Sequence, residues 1–425
     1  MKLNVILVGS SPLPCYIQAA YALQEGPGME KPDYILFVVT ENTDGLNGTI
    51  KYAENIKAVL EKQQIAYESE TLQITDGYNS YQIEEMVLKK IEEINQRETI
   101  EKILLNNTGG TKTMAVYATS GVRRFAQGRG VDVTECFVDP IENRIRCYQL
   151  GQNGSDLYPS YESGKTLKDY VVLDIKELIY LHYGTKVKIS YSDVNGKGSD
   201  NGKEYISMTE EQKQFAIQIL SDKKAYENYE VFYRICAEHS KGSLKRRADK
   251  MVSELERQGR LSLLSDLFSW TEGEYNFLPF MDGNWLELYF YIALLDAQKR
   301  LAKRNIAIQT VWSCKVTPEE LYGKEFEVDI LAIKGYELTL FSVSMADAVG
   351  LAKGKWFEAV YRTEQMAGEH GNVAVVNFLY DKNGNNNIEK FRSDLKTFKR
   401  EVEIYNKSDM KDYDALVEKI ELKFM

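Results

Sequence analysis

The chain has 425 residues, of which 53 are Lys or Arg and 63 are Asp or Glu, so its formal net charge is −10. At roughly 150 residues per domain, this length predicts two or three domains. Because proteins that bind long nucleic acid over a broad face are usually basic, any site for a polyanion must be local. No apolar run reaches the roughly 18 residues that span a bilayer. We therefore expect a cytoplasmic protein with no membrane contact.

The cysteines and histidines exclude several classes of metal site. The five cysteines are far apart with no CxxC spacing, and the three histidines form no HxE or HxxxH pair. This pattern predicts neither a disulfide framework nor a thiolate zinc site. It also lacks the ligand motifs of zinc hydrolases and zinc deaminases. We expect reduced, mostly buried thiols.

Short apolar runs alternate with amphipathic segments over the first third of the chain. The predicted strands cover 3–8, 34–39, 103–105 and 133–138, and the predicted helices cover 14–24, 49–63 and 111–126. A hairpin is predicted to join 133–139 to 145–150 through a turn at 140–143. The strand, helix, strand rhythm with continuous apolar strands is typical of a doubly wound parallel sheet, a Rossmann-like α/β fold.

The rest of the chain divides into a middle and a last part. The predicted boundaries are 1–155 for the first domain, 156–275 for a helical connector and 276–425 for a C-terminal α/β domain. The connector carries a polar, linker-like insert at 193–203 and predicted helices at 207–220, 225–239 and 244–258, the first starting at a capping box of Ser207 and Glu210. In the last part, the sequence predicts a helix at 285–303, a hairpin of 326–333 with 338–343, a helix at 355–366 and a strand at 373–379.

The segment 104–114, LLNNTGGTKTM, has the composition of a phosphate-binding turn. Glycines let backbone amides approach a ligand, a helix N-terminus presents unpaired donors, and Lys112 adds a positive charge. Polar turns at 9–12 and 40–43 follow two other predicted strands, at the carboxyl edge where open α/β sheets bind ligands. The plainer alternative is a strand-to-helix turn with an N-cap.

A second constellation lies in the last part of the chain. Glu287 stands on the predicted helix within WLEL, and Asp329 stands on the predicted strand within EVDI. Carboxylates held on rigid elements bind hard cations, so we predict Glu287 and Asp329 as ligands of Mg²⁺ or Mn²⁺ beside a scissile phosphate. The plainer alternatives are a solvated helix carboxylate and an acid on an edge strand.

Residues 1–150, with LLNNTGGTKTMA after a buried strand and an early GSSP turn, resemble the CARF domain, the CRISPR-associated Rossmann-fold sensor of cyclic oligoadenylates. The resemblance implies a homodimer in which one ring, by inference cyclic tetra-adenylate, bridges two copies across a twofold axis. It also implies a pocket in which Ser11 or Thr111 could position the ring's own 2′-hydroxyl for slow hydrolysis. The residues that it places around the ligand are Gly9, Ser10, Ser11, Thr40, Asn107, Thr108, Gly109, Gly110, Thr111 and Lys112.

The runs GNWLELYFYIALL, EVDILAIKGYELTLFSVS and KGKWFEAVYRTEQMAGEHGNVAVV resemble the PD-(D/E)xK restriction-endonuclease-like domain of the CRISPR ancillary nucleases. In that family the second hairpin strand carries an acid and then a lysine, where this chain has Ser342 and Ser344. Three interpretations stay open. Lys353 or Lys355 from the next helix could replace the lysine; Asp347 could add a metal ligand; or the nuclease is degraded and the domain serves binding or assembly.

Together the resemblances imply a type III CRISPR accessory effector, activated by cyclic oligoadenylate, that is a metal-dependent endonuclease on single-stranded RNA or DNA. One alternative is a sensor or partner-binding regulator without catalysis. A second is a metal-independent HEPN-type ribonuclease, because Arg234 and His239 have the Arg-x4-His spacing. For that pair, an exposed face of an amphipathic helix is the plainer interpretation.

Overall fold

A computed structural model describes residues 1–42, 48–139, 142–149, 156–157, 161–192, 207–270, 277–319, 324–345, 348–368, 371–379, 387–396 and 402–425. The polar insert predicted at 193–203 and the candidate ligand Asp347 lie outside the described residues. Among the described residues, no helix combines the length and the apolar character needed to cross a membrane. All five cysteine thiols are free and buried, as predicted.

The described elements alternate strand and helix over the first 139 residues. The strands are β1 (Lys2–Leu7), β2 (Tyr34–Thr40), β3 (Glu68–Ile74), β4 (Lys102–Asn106), β5 (Asp132–Asp139), β6 (Arg144–Gln149), β7 (Asp156–Leu157), β8 (Lys188–Ser192), β9 (Gln309–Thr317), β10 (Phe326–Lys334), β11 (Glu337–Val343), β12 (Asn372–Val376) and β13 (Glu403–Tyr405). The helices are α1 (Pro12–Leu23), α2 (Ile50–Lys62), α3 (Ser80–Arg97), α4 (Lys112–Ala126), α5 (Leu167–Tyr170), α6 (Ile175–Tyr183), α7 (Glu210–Ser221), α8 (Lys223–Glu238), α9 (Leu244–Arg257), α10 (Ser262–Leu267), α11 (Phe277–Pro279), α12 (Trp285–Ala302), α13 (Val349–Ala367), α14 (Asn387–Lys396), α15 (Lys407–Met410) and α16 (Tyr413–Phe424). A π-helical turn at Phe280–Asn284 joins α11 to α12.

The N-terminal sheet has the order β3-β2-β1-β4-β5-β6-β7. The strands from β3 to β5 pair in parallel, and β6 and β7 pair antiparallel at one end. This arrangement confirms the predicted Rossmann-like sheet and its terminal hairpin. Helices α3 and α4 cover one face with a core that includes Val87 and Phe125, and α1 and α2 cover the other. Burial on both faces is why the central strands read as unbroken apolar runs.

Strand β3 and helix α3 were not predicted from the sequence. The segment ESETLQI of β3 has polar residues at five of its seven positions and is mostly half-exposed, because β3 lies at the edge of the sheet. Its carboxyl end nevertheless reaches the same edge of the sheet as β1, β2 and β4, since all four strands are parallel. The loop after β3 therefore becomes a further candidate for ligand contact.

The second sheet has the order β13-β12-β11-β10-β9-β8 and confirms a second α/β unit. Strand β8 lies within the range predicted for the connector, but it pairs with β9. Strand β10 lies between β9 and β11, so Asp329 is on an interior strand and the edge-strand interpretation of this acid is wrong. Helix α13 begins at Val349, earlier than the predicted start at 355.

Helices α7 to α10 of the predicted connector pack with α12 against the outer face of the second sheet in one core. The capping box predicted for Ser207 and Glu210 is wrong. Thr209 caps α7, because its hydroxyl accepts a hydrogen bond from the Gln212 amide while the Gln212 side chain accepts one from the Thr209 amide. Both candidate boxes fit the same sequence window, so the pattern alone placed the helix start too early.

The two sheets share a single core. Apolar residues from α1, α2, α6 and α13 lie between them and contact strands of both. Polar contacts reinforce this layer: the Leu173 amide donates to the Gly335 carbonyl at 2.9 Å, and Lys168 pairs with Glu337 at 2.9 Å. The N-terminal sheet and the C-terminal sheet are therefore packed together rather than joined only by the chain.

We predict that Gly335→Ala weakens this contact. Gly335 has φ of +62°, and a Cβ there would lie 2.2 Å from the Lys168 carbonyl oxygen. Gly128→Ala is the matched control, because Gly128 has φ of +76° with no atom within 4 Å of the new Cβ. Both substitutions carry a backbone penalty of about 1 kcal/mol, and the clash should add about 2 kcal/mol to the first. Equal losses of unfolding free energy in denaturant titrations would contradict the tight contact.

Candidate functional site

A cleft of about 550 Å³ opens at the carboxyl edge of the N-terminal sheet, between the loops that follow β1, β2, β3 and β4. Half of the residues predicted to contact the ligand line this cleft, namely Gly9, Ser10, Thr40, Gly110 and Thr111. The parallel strands bring these residues together from three separate stretches of sequence. The cleft lies at the carboxyl edge of the sheet, where the sequence analysis expected a ligand.

The floor of this cleft depends on three glycines that pack backbone against backbone. A Cβ on Gly109 would lie 2.2 Å from the Leu7 carbonyl oxygen and 2.8 Å from the Gly9 nitrogen. A Cβ on Gly9 would lie 2.7 Å from the Gly110 nitrogen, and Gly110 has φ of +77°. Side chains are therefore excluded here, and the ends of β1 and β4 come close enough for main-chain amides to line a ligand surface.

Thr111 fixes the start of α4 at the cleft. Its hydroxyl accepts a hydrogen bond from the Met114 amide at 3.1 Å and donates one to the Gly77 carbonyl at 2.9 Å. The second bond joins the β4 loop to the loop after β3. An N-terminus capped in this way presents amide donors and the positive end of the helix dipole to an anion.

The other predicted ligand residues take supporting positions or lie next to the cleft. The Thr108 hydroxyl donates to Asn106 Oδ1 at 2.6 Å and accepts from the Val138 amide at 3.0 Å, so it braces the loop from within. The Asn107 amide donates to the Cys136 carbonyl. Lys112 opens α4 directly after the cap. Ser11 faces the C-terminal part of the chain, because a Cβ on Gly368 would lie 3.0 Å from its hydroxyl oxygen.

Sequence reasoning missed the part of this cleft that follows β3. Thr75, Asp76 and Tyr78 line it, together with Glu41 and Met114 from the two predicted turns. Asp76 Oδ1 accepts a hydrogen bond from the Tyr78 amide, and Tyr78 is 68% exposed. An Asp and a Gly directly after β3 were the available signal, but they had no meaning until β3 was recognised as a strand of the parallel sheet.

A second cleft, of about 680 Å³, lies beside the C-terminal sheet. It contains three of the predicted catalytic residues: Glu287 on α12, Ser344 after β11 and Lys355 on α13. The π-helical turn contributes Asp282 and Gly283, and α8 contributes Tyr233, neither of which the sequence marked. Helix, hairpin and connector thus meet at one acidic cleft, which Glu358 of α13 also lines.

The two predicted metal ligands are close enough to influence each other. Burial, with the Asp329 carboxylate nearby, raises the pKa of Glu287 to about 7, although the Trp312 indole N–H donates to Glu287 Oε2 at 3.2 Å. Burial also raises the pKa of Asp329 to about 6, against the hydrogen bond that the Val343 amide donates to Asp329 Oδ2 at 2.7 Å. A bound cation would stabilise the charged forms of these two half-buried carboxylates.

The two candidate lysines have different surroundings. Lys353 forms an ion pair with Asp394 on α14. Lys355 lines the cleft, and its charge lowers the pKa of both Glu287 and Asp329. Of the two, Lys355 is the one whose charge reaches the acids.

The donor set suits a hard cation with an incomplete protein shell. Glu287 and Asp329 supply carboxylate oxygens, which Mg²⁺ and Mn²⁺ prefer over nitrogen or sulfur. Within the described ranges, no group of three or more His, Cys, Asp or Glu side chains is placed to hold a metal ion. Mg²⁺ commonly takes only one or two protein carboxylates and completes its shell with water and substrate phosphate.

Comparison with known proteins supports the N-terminal assignment. Residues 21–146 match the family described as the Card1 CARF domain. The chain contains a CARF domain. This match runs from the end of α1 into β6 and includes Gly110 and Thr111 of the first cleft, which we call the CARF cleft.

Two solved structures share the whole architecture. Protein VC1899 from Vibrio cholerae aligns with a TM-score of 0.60 at 12% identity, covering 99% of this chain and 98% of that one. Can2 from Sulfobacillus thermosulfidooxidans, solved in complex with cyclic tetra-adenylate, aligns with a TM-score of 0.60 at 14% identity and covers 99% of both chains. No curated protein matched the sequence. At these identities the likeness establishes a common fold from the CARF domain through the second sheet.

We predict that Glu287→Gln stabilises the protein at pH 8 in the absence of divalent cations. The pKa of this carboxyl is about 7 in the folded state against 4.5 for its ordinary value, so the wild type loses stability as pH rises through this window. Glutamine keeps the shape without the charge and should gain about 2 kcal/mol at pH 8 and almost nothing near pH 4.5. Glu325→Gln, at an exposed position before β10, is the control with no expected gain. If urea titrations at pH 8 gave Glu287→Gln a lower free energy of unfolding than wild type, the result would contradict a destabilising charge at this position.

Proposed function

We propose that this protein is an accessory effector of type III CRISPR defence, activated when a cyclic oligoadenylate binds its CARF domain. The supporting observations are the match of residues 21–146 to the Card1 CARF domain and the fold shared with Can2, whose structure contains cyclic tetra-adenylate. The amide-lined floor at Gly9 and Gly110 provides donors for the ring's phosphates. Exposed Tyr78 provides a face on which an adenine can stack.

A ring built from identical units fits a receptor with twofold symmetry. In this proposal two chains form a homodimer, each contributing one cleft of about 550 Å³ to half of a cyclic tetra-adenylate. The two carboxylates of the cleft, Glu41 and Asp76, would repel phosphate, so they belong next to ribose hydroxyls or the adenine amino group. Phosphates then lie over the glycine loops.

The second cleft is proposed as a metal-dependent phosphodiesterase site. Glu287 and Asp329 would hold Mg²⁺ or Mn²⁺, and the bound cation would polarise the phosphate and lower the pKa of an attacking water. Lys355 would offset the negative charge that develops on the phosphate in the transition state. Trp312 and the Val343 amide keep the two carboxylates oriented, since each donates a hydrogen bond to one of them.

Helix α13 offers a direct route from ring to cleavage site. Its N-terminal half carries Lys355, and Gly368 at its C-terminal end abuts Ser11, the residue after Ser10 of the CARF cleft. With 19 residues the helix is about 28 Å long. A shift of the GSSP turn on ring binding would therefore move a rigid element whose far end lines the acid pair.

One observation favours a second candidate, a sensor that does not cut. Ser344 occupies the position of the usual lysine and lines the cleft without a positive charge. If Lys355 does not replace that lysine, the acid pair alone would give weak catalysis, and the ring would control binding of a partner instead.

Ring binding is tested by calorimetry. We expect cyclic tetra-adenylate to bind full-length protein with one ring per two chains, because one ring spans two clefts. Thr111→Val should weaken binding about tenfold, since it removes the hydroxyl that joins the β4 loop to Gly77. Linear tetra-adenylate is the ligand control. The absence of heat with rings of every size would contradict the sensing proposal.

Cleavage is tested with two lysine variants. We expect ring-dependent, Mn²⁺-dependent cleavage of labelled single-stranded RNA or DNA to fall about 100-fold in Lys355→Ala, because the variant removes a positive charge that acts on both acids. Lys353→Ala is the matched control, since its partner is Asp394, and should retain activity within a few-fold. Equal activity of Lys355→Ala and wild type would remove lysine 355 from the mechanism, and no cleavage by any of the proteins with ring binding intact would favour the non-cutting sensor.

A further inference from the structure

Five cations lie together at the start of α9 and just before it, and we call them the α9 patch: Lys241, Lys245, Arg246, Arg247 and Lys250. Between residues 241 and 250 the only acid is Asp249. All five side chains except Arg247 belong to exposed residues. In a chain with a net charge of −10, this is a local excess of positive charge that the fold does not need for its core.

The patch is attached to the edge of the second cleft. Arg247 forms an ion pair with Asp282, and Asp282 lines that cleft. The next residue, Gly283, has φ of +113° and leads through the π-helical turn into α12, which carries Glu287. The basic surface and the acid pair are therefore held together by a short, kinked segment.

An aromatic side chain lines the cleft beside the turn whose Asp282 pairs with Arg247 of the patch. Tyr233 on α8 is 38% exposed and lines the cleft. Its ring edge would lie 3.8 Å from a Cβ built on Gly283, so it forms the wall next to the turn. A half-exposed ring beside a row of cations is the combination that binds single-stranded nucleic acid, with stacking for a base and charge for the backbone.

We propose that the α9 patch with Tyr233 is the entry surface for a single-stranded nucleic acid substrate of the second cleft. This inference rests on the cleavage proposed above and names the residues that hold the strand outside the acids. The cations of the patch contact backbone phosphates, and Tyr233 stacks on a base one step before the scissile bond. Single strands are favoured over duplex because a narrow basic strip and one ring suit an unpaired, flexible backbone.

Another basic cluster differs from the α9 patch, because two of its cations have carboxylate partners. Arg300, Lys303 and Arg304 lie beside the C-terminal helix α16. Arg300 pairs with Asp414 of that helix at 3.3 Å, and Arg304 pairs with Glu421 at 3.0 Å. In the described part of the chain, Lys245, Arg246 and Lys250 form no such pair. A polyanion can bind these cations without first displacing a carboxylate from them.

The test measures strand binding apart from cleavage and from ring binding. In a Glu287→Gln background with Ca²⁺ and saturating cyclic tetra-adenylate, anisotropy of a fluorescent 20-nucleotide RNA or DNA reports affinity. Lys245→Glu with Lys250→Glu should weaken binding at least tenfold and reduce the salt slope by about 1.4, the loss of two phosphate contacts. Lys299→Glu with Lys303→Glu is the matched control with the same change of charge and should leave affinity and slope within twofold.

Tyr233 is tested by a pair of substitutions. Tyr233→Phe keeps a ring for stacking and should bind like the background protein, whereas Tyr233→Leu should lose about fivefold. Equal binding by the patch variant and its control would overturn the inference, as would an oligonucleotide that does not bind at all. Calorimetry with cyclic tetra-adenylate on the same variants separates the two failures, because ring binding that persists leaves the CARF proposal standing.

Discussion

The layer of helices between the two sheets is the constraint on which the rest of the structure depends. Because α1, α2, α6 and α13 bury apolar side chains against both sheets, neither sheet has an independent core on that side. Close-packed interiors move as rigid pieces rather than by gradual deformation. A change at the carboxyl edge of the CARF sheet must therefore be accommodated by this layer, and α13 extends from there to the acid pair.

The sequence predicted the strands of the first sheet that are buried on both faces, but it missed β9, an interior strand of the second sheet. It failed at β3, where an edge position allows polar residues, and at the start of α7, where two overlapping capping patterns competed. The glycine loop was recognisable because close backbone contact excludes every other residue type, as at Gly109. The contributions of Asp76 and Tyr233 depend on which loops and helices meet in space, and no local pattern encodes that.

The choice between Lys353 and Lys355 shows the same limit at the level of one helical turn. Both lysines begin one helix and are identical in local composition, yet one pairs with Asp394 and the other affects the pKa of Glu287. Helical geometry rotates residues two positions apart to different sides, so a motif search that counts residues cannot distinguish them. Three-dimensional placement assigns different surroundings to two residues that appear equivalent in the sequence.

The half-buried acid pair also bears on how such a protein changes over generations. Since neutralising Glu287 is expected to make the empty fold more stable, folding exerts no pressure to retain that carboxylate. Where the proposed cleavage brings no benefit to the host, random substitution would drift towards an uncharged residue at 287. Descendants that lose the proposed cleavage should therefore remain well folded.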